Sequence, residues 1–140
     1  MSDGINASPL MWKSRKIPQV CDSTKSAETR ACDKMTDDAI YLAKMIHEVY
    51  TGKKGSGQLH VMIYSDSATL IESIYSTVPV ERKTMRHVVQ GLKDNLARGE
   101  VTEYRWVDTK MMLADILTKD SIKSQLLMEV LKTGIMPRQY

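Results

Sequence analysis

The chain has 140 residues, of which 42% are hydrophobic and 26% charged, and a formal net charge of +3. That length accommodates one core and a single domain, 1–140, and the composition is that of a soluble globular protein, its mild basicity compatible with nucleic acid without requiring it. No apolar run reaches the length of a membrane span, the polar start is no secretory signal, and Cys21 and Cys32 have neither CxxC spacing nor a His partner, so reduced thiols in an intracellular protein are expected.

Residues 1–9 are polar and contain Gly4 and Pro9, which predicts a flexible lead. Leu10–Ile17 reads as a short edge strand carrying Lys13 and Arg15 on one face, ended by Pro18. The basic residues Lys13, Arg15 and Lys16 beside Trp12 could meet phosphates or simply keep such an edge solvated.

Asp22-Ser23-Thr24 offers helix N-caps, and a helix is expected from there to about Tyr50. Ala27, Ala31, Met35, Ala39, Leu42, Ile46 and Val49 recur at helical spacing and predict its buried stripe. Glu28 projects from the edge of that stripe. It is either a residue favoured by the helix dipole or a carboxylate turned toward a sheet. Thr51–Gly57 is a loop and lacks the GxxxxGK[ST] pattern of a phosphate-binding loop.

Leu59–Asp66 is an apolar run that ends in a carboxylate, and it reads as the central strand. Its two faces, Leu59, Val61 and Ile63 against Met62 and Tyr64, are both largely apolar, as for a strand covered by helices on both sides. Asp66 falls at the carboxyl end of this strand, where open α/β sheets place their chemistry. The plainer role for it is capping the next helix, Ala68–Ile74. A second helix is expected over about Glu81–Arg98, with Met85, Val88, Val89, Leu92 and Leu96 buried. Its other side carries Arg82, Arg86 and Lys93, a modest basic stripe that is either a solvated face or a contact for nucleic acid.

Val101–Val107 alternates as a strand, and Met111–Lys119 starts a further helix that resumes over Ser124–Thr133. Asp115 lies within an apolar cluster, a local inconsistency of the kind that marks functional sites. Glu28, Asp66 and Asp115 thus form a candidate carboxylate set for a hard divalent cation such as Mg²⁺. Two such ions about 3.5–4 Å apart activate water and stabilise the leaving oxygen in phosphodiester cleavage.

Four blocks carry a resemblance: Ser8–Lys16 (SPLMWKSRK), Ser23–Thr29 (STKSAET), Tyr64–Ser67 (YSDS), and Trp106–Thr109 (WVDT) followed by Leu113–Lys119 (LADILTK). In this order they resemble the ribonuclease H domain of copia-type LTR-retrotransposon Pol polyproteins, over roughly residues 10–134. The resemblance implies an α/β, RNase H-like mixed sheet flanked by helices. It also implies Mg²⁺- or Mn²⁺-dependent hydrolysis of the RNA strand of RNA/DNA hybrids, and maps acidic positions onto Glu28, Asp66 and Asp115. The family's first strand, with its first catalytic Asp, has no counterpart here, since too few residues separate Asp3 from Trp12 for the intervening hairpin. The expectation is therefore an N-terminally truncated domain with weak or no activity, whose open sheet edge is filled by Leu10–Ile17, a second copy or a partner segment. The competing expectation is a non-catalytic nucleic-acid- or protein-binding module retained from a retroelement.

Overall fold

The computed structural model describes residues 4–18, 20–21, 23–54, 59–114 and 124–138. The fold is mixed α/β, with four α-helices and two small two-stranded sheets among those residues. Two compact units divide the chain, Ile17–Trp106 in one and Met1–Lys16 with Val107–Tyr140 in the other. Among the described residues no helix is long and apolar enough to cross a membrane.

In the unit Ile17–Trp106, helix α1 (Thr24–Thr51) starts where the capping residues place it. The Ser23 hydroxyl accepts the Ser26 N–H at 3.1 Å, satisfying one of the donors a helix leaves unpaired at its start. Gly52 ends the helix in the left-handed conformation, φ 67°, and donates its N–H to the Glu48 carbonyl at 2.8 Å.

The buried face of α1 matches the expected apolar stripe only in part. Ala27, Ala39, Leu42 and Ile46 are half-buried, Ala39 against the core, but the buried residues are Ser26, Thr29, Cys32 and Thr36, whereas Ala31 is exposed and Met35 and Val49 are 41% and 78% exposed. The reason is local hydrogen bonding. Thr29 and Thr36 donate their hydroxyls to the Lys25 and Cys32 carbonyls at 2.7 and 2.8 Å, so neither enters the core as an unsatisfied polar group. These side chains are also small, which lets α1 lie close to its neighbour α3 (Lys83–Ala97). At that crossing Gly91 has no Cβ, and one added there would stand 4.0 Å from Asp33 Oδ1.

Strands β2 (Met62–Ser65) and β3 (Glu103–Trp106) pair in parallel, Ile63 opposite Tyr104. Both are shorter than the runs Leu59–Asp66 and Val101–Val107. Among the described residues each has a single partner strand, so only the stretch where the two overlap forms a ladder; Thr102 N–H to the Val61 carbonyl, 2.9 Å, closes its start. The crossover between them runs through α2 (Ala68–Tyr75) and α3, the helical connection that parallel pairing requires. Tyr75 of α2 accepts the Tyr104 N–H on its hydroxyl at 3.0 Å, closing one donor on the far edge of β3.

Val61, Ile63 and Tyr104 join Cys32, Leu70, Ile74, Leu92 and Val101 in one core cluster, with Ile40 and Ala43 of α1 packed against it. This core sits on a single face of the sheet. On the other face Met62 and Tyr64 are only half-buried, and Arg105 pairs with Glu103 at 2.9 Å in an exposed ion pair. Within this unit the expected cover on both faces is therefore replaced by cover on one, because all three helices pack on the Ile63–Tyr104 side.

Asp33 borders the same packing. Burial, and then the neighbouring Asp37, holds its carboxyl above the ordinary value of 3.8, with Lys34 and Arg30 opposing. A folded-state value above the unfolded one means that folding favours the protonated acid. The resulting penalty is absent below pH 3.8 and grows as pH rises through the raised value. Asp33→Asn is therefore expected to raise Tm by about 1–2 °C at pH 7, the group being largely solvent-screened. The difference from the parent should vanish near pH 3 in thermal melts followed by circular dichroism.

In the other unit β1 (Gly4–Asn6) pairs antiparallel with β4 (Ile135–Pro137), so a strand stands where a flexible lead is expected. Gly4 permits this pairing, since a Cβ there would collide with the Ile135 side chain and the Met136 carbonyl. Helix α4 (Ser124–Thr133) has the expected bounds. Leu10–Ile17 forms no strand. With no partner strand among the described residues there is no ladder to hold it extended. Of the expected helix Met111–Lys119, the start is instead a 3₁₀ turn, Thr109–Met111, with the Asp108 carboxylate accepting the Lys110 N–H at 2.8 Å. Residues 115–120 lie outside the described residues.

Candidate functional site

Asp66 follows β2 directly and stands at the carboxyl end of the parallel pair. The capping role it could have taken belongs to its neighbour. Ser67 is the N-cap of α2, its hydroxyl accepting the Leu70 N–H at 3.4 Å, and the Ser67 N–H is in turn accepted by Ser65 Oγ at 3.2 Å. Asp66 is half-buried, and its backbone carbonyl accepts the indole N–H of Trp106 at 3.2 Å.

Glu28, on α1, is half-buried like Asp66. It falls beyond the first turn of α1, which contains no acidic residue, so the helix dipole gives it little. Asp115, the third candidate, lies outside the described residues. Among the described residues no group of three or more His, Cys, Asp or Glu is placed to hold a metal ion.

The basic residues separate into two sets. Lys13, Arg15 and Lys16 are exposed in one unit. Arg82, Arg86 and Lys93 belong to the other, and each has a contact inside that unit. Arg82 Nη1 reaches Ser23 Oγ at 3.5 Å, at the N-terminus of α1. Arg86 donates to the Val80 and Glu81 carbonyls, the latter at 3.3 Å, and Lys93 Nζ to the Ser76 carbonyl at 2.6 Å. Arg86 and Lys93 thus bind the backbone of the α2–α3 linker, a use that the basic stripe alone does not reveal.

Sequence reasoning also missed a buried polar chain joining three elements. The Tyr104 hydroxyl donates to Thr36 Oγ1 at 3.5 Å, and Thr36 donates to the Cys32 carbonyl. Burial raises the Tyr104 phenol above its ordinary value, with hydrogen bonds to Thr36 and Asn95 opposing. Burial likewise pushes the Cys32 thiol up to about 11, which keeps it protonated and unreactive at neutral pH. The signal available was the run of small polar residues Ser26, Thr29, Cys32 and Thr36 at helical spacing, overshadowed by the larger Met and Val side chains on the opposite face.

No family model, curated protein or solved structure matches the chain. The class of protein defined by fold and site together is a mixed α/β domain with a carboxylate at the end of a parallel strand.

Proposed function

We propose that the chain is an RNase H-like domain of the copia-type retrotransposon Pol kind. Its proposed substrate is an RNA/DNA hybrid, and its activity is metal-dependent hydrolysis of the RNA strand. The observation that supports this most is Asp66, a half-buried carboxylate at the carboxyl end of a parallel strand, with the capping role taken by Ser67. Glu28 and Asp115 complete the proposed set of ligands for Mg²⁺ or Mn²⁺. When bound, two such ions would activate water and stabilise the leaving oxygen. Turnover is proposed to be weak, because three carboxylates are matched where the resemblance calls for four.

A second reading, a non-catalytic binding module, has its own support. The β2–β3 sheet has two strands among the described residues, and α1 turns Met35, Met45 and Val49 outward. An added strand, from a second copy or a partner segment, would widen the sheet, and the outward side of α1 offers a separate apolar surface.

Hybrid binding tests the nucleic-acid part of both. Anisotropy titrations of a labelled RNA/DNA hybrid should show affinity falling as salt rises. Reversing Lys13, Arg15 and Lys16 to Glu should weaken binding at least about tenfold at low salt and flatten that salt dependence. Unchanged binding in the charge-reversed variant would remove these residues from the interface.

A further inference from the structure

Trp106 is the last residue of β3 and lies opposite Ser65 in the parallel register, one residue from Asp66. Two positions earlier on the same side of the strand, Tyr104 is 1% exposed, whereas Trp106 is 49% exposed. A Trp usually buries most of its large surface and seeks a partner for its one polar atom. Here the partner is found without burial. The indole N–H donates to the Asp66 backbone carbonyl, which pins the ring across the strand ends and leaves its carbon surface half open.

The surroundings decide what that surface is suited to. Ser65 lies opposite Trp106 in the register and Asp66 accepts its indole N–H, so two polar residues stand at the edge of the ring. The adjacent guanidinium of Arg105 is held by Glu103 through two hydrogen bonds, 3.2 and 2.9 Å, and adds little free charge. A fixed, half-exposed indole with satisfied N–H is the kind of platform on which a nucleobase stacks, whatever the base.

We propose that Trp106 is a stacking platform for one unpaired nucleobase, at a hybrid end or in a single-stranded flank, beside the Asp66 carboxylate. The inference rests on the hybrid-binding reading above and goes beyond it in assigning a residue and a substrate feature. Paired bases inside a hybrid have no free face to offer the ring; an overhanging base does.

Two measurements test this. In the first, a labelled hybrid with a short single-stranded flank is compared with the same hybrid carrying an abasic flank. The parent chain should bind the base-bearing flank about 5- to 150-fold more tightly. Trp106→Ala should erase the difference and Trp106→Phe should keep part of it. In the second, a Trp12→Phe background leaves Trp106 as the sole indole. Its fluorescence should be quenched by the base-bearing flank and much less by the abasic one, a reading that stands even where Trp106→Ala fails to fold. Equal affinity of the parent chain for both flanks, or a difference that survives in folded Trp106→Ala, would overturn the platform while leaving hybrid binding intact. Failure to bind any hybrid would overturn the platform and the functional reading together.

Discussion

Tyr104→Ala is expected to destabilise the unit Ile17–Trp106 by about 3–5 kcal/mol, the range for truncating a buried aromatic. Tyr104 is 1% exposed and is the largest of the fully buried side chains. It lies at the middle of the parallel ladder, opposite Ile63, and its hydroxyl reaches across to Thr36 on α1. Removing the ring would leave a cavity between sheet and helix and would remove one of the two hydrogen bonds of the Thr36 hydroxyl, which keeps its bond to the Cys32 carbonyl. Tyr104→Phe separates the two contributions. It keeps the ring and loses only the hydroxyl, so a loss of about 1 kcal/mol is expected. Urea denaturation of the three proteins, with unchanged m-values, is the measurement. Stabilities for Tyr104→Ala and Tyr104→Phe that lie within experimental error of each other would contradict this account of the core.

Leu92→Ala should have an effect of similar size, about 3–5 kcal/mol. Leu92 is fully buried on α3 and belongs to the cluster that includes Leu70 and Ile74 of α2 and Ile63 of β2. Its surroundings are drawn from separate elements fixed by the crossover connection, so collapse around the missing side chain is limited and most of the cavity persists. Losses of this size are large beside the about 5–15 kcal/mol total stability of an ordinary domain. Leu92→Ala should therefore melt well below the parent in thermal scans. A contrast is provided by Val49→Ala, on the outward side of α1. Surface changes of that kind usually fall within about 0.5 kcal/mol.

That contrast shows where the sequence was legible. Hydrophobic patterning placed Met85, Val89 and Leu92 on the buried side of α3, and there the structure agrees, with Val88 and Leu96 half-buried and the polar Asn95 buried beside them. On α1 the same rule found only part of the packed side, Ala39 among it, and missed the small polar residues that are fully buried. Thr29 and Thr36 satisfy their hydroxyls on the preceding turn and so behave as small apolar residues, a property that hydropathy does not register. The start of α1 was readable from Ser23, whose hydroxyl meets an N–H only three residues on, and the expected end near Tyr50 lies one residue from the observed Thr51. The β1–β4 pairing was not readable, since it joins Gly4–Asn6 to Ile135–Pro137 from opposite ends of the chain.

The site was legible in part for the same reason. The position of Asp66 follows from a strand ending and a helix beginning, both local features. Which residue caps the helix depends on a one-residue choice between Asp66 and Ser67, and the backbone turn makes it Ser67. The roles of Arg86 and Lys93 depend on where the linker carbonyls of Ser76, Val80 and Glu81 come to lie, which only the folded crossover determines.

The most direct test of the central proposal is a strand-resolved cleavage assay. The folded chain is incubated with an RNA/DNA hybrid labelled on each strand, in Mn²⁺ and separately in Mg²⁺, beside Asp66→Asn and Glu28→Gln. The account predicts slow cleavage of the RNA strand alone, dependent on the metal and lost in Asp66→Asn. Cleavage that persists unchanged in Asp66→Asn, or that falls on both strands equally, would contradict it.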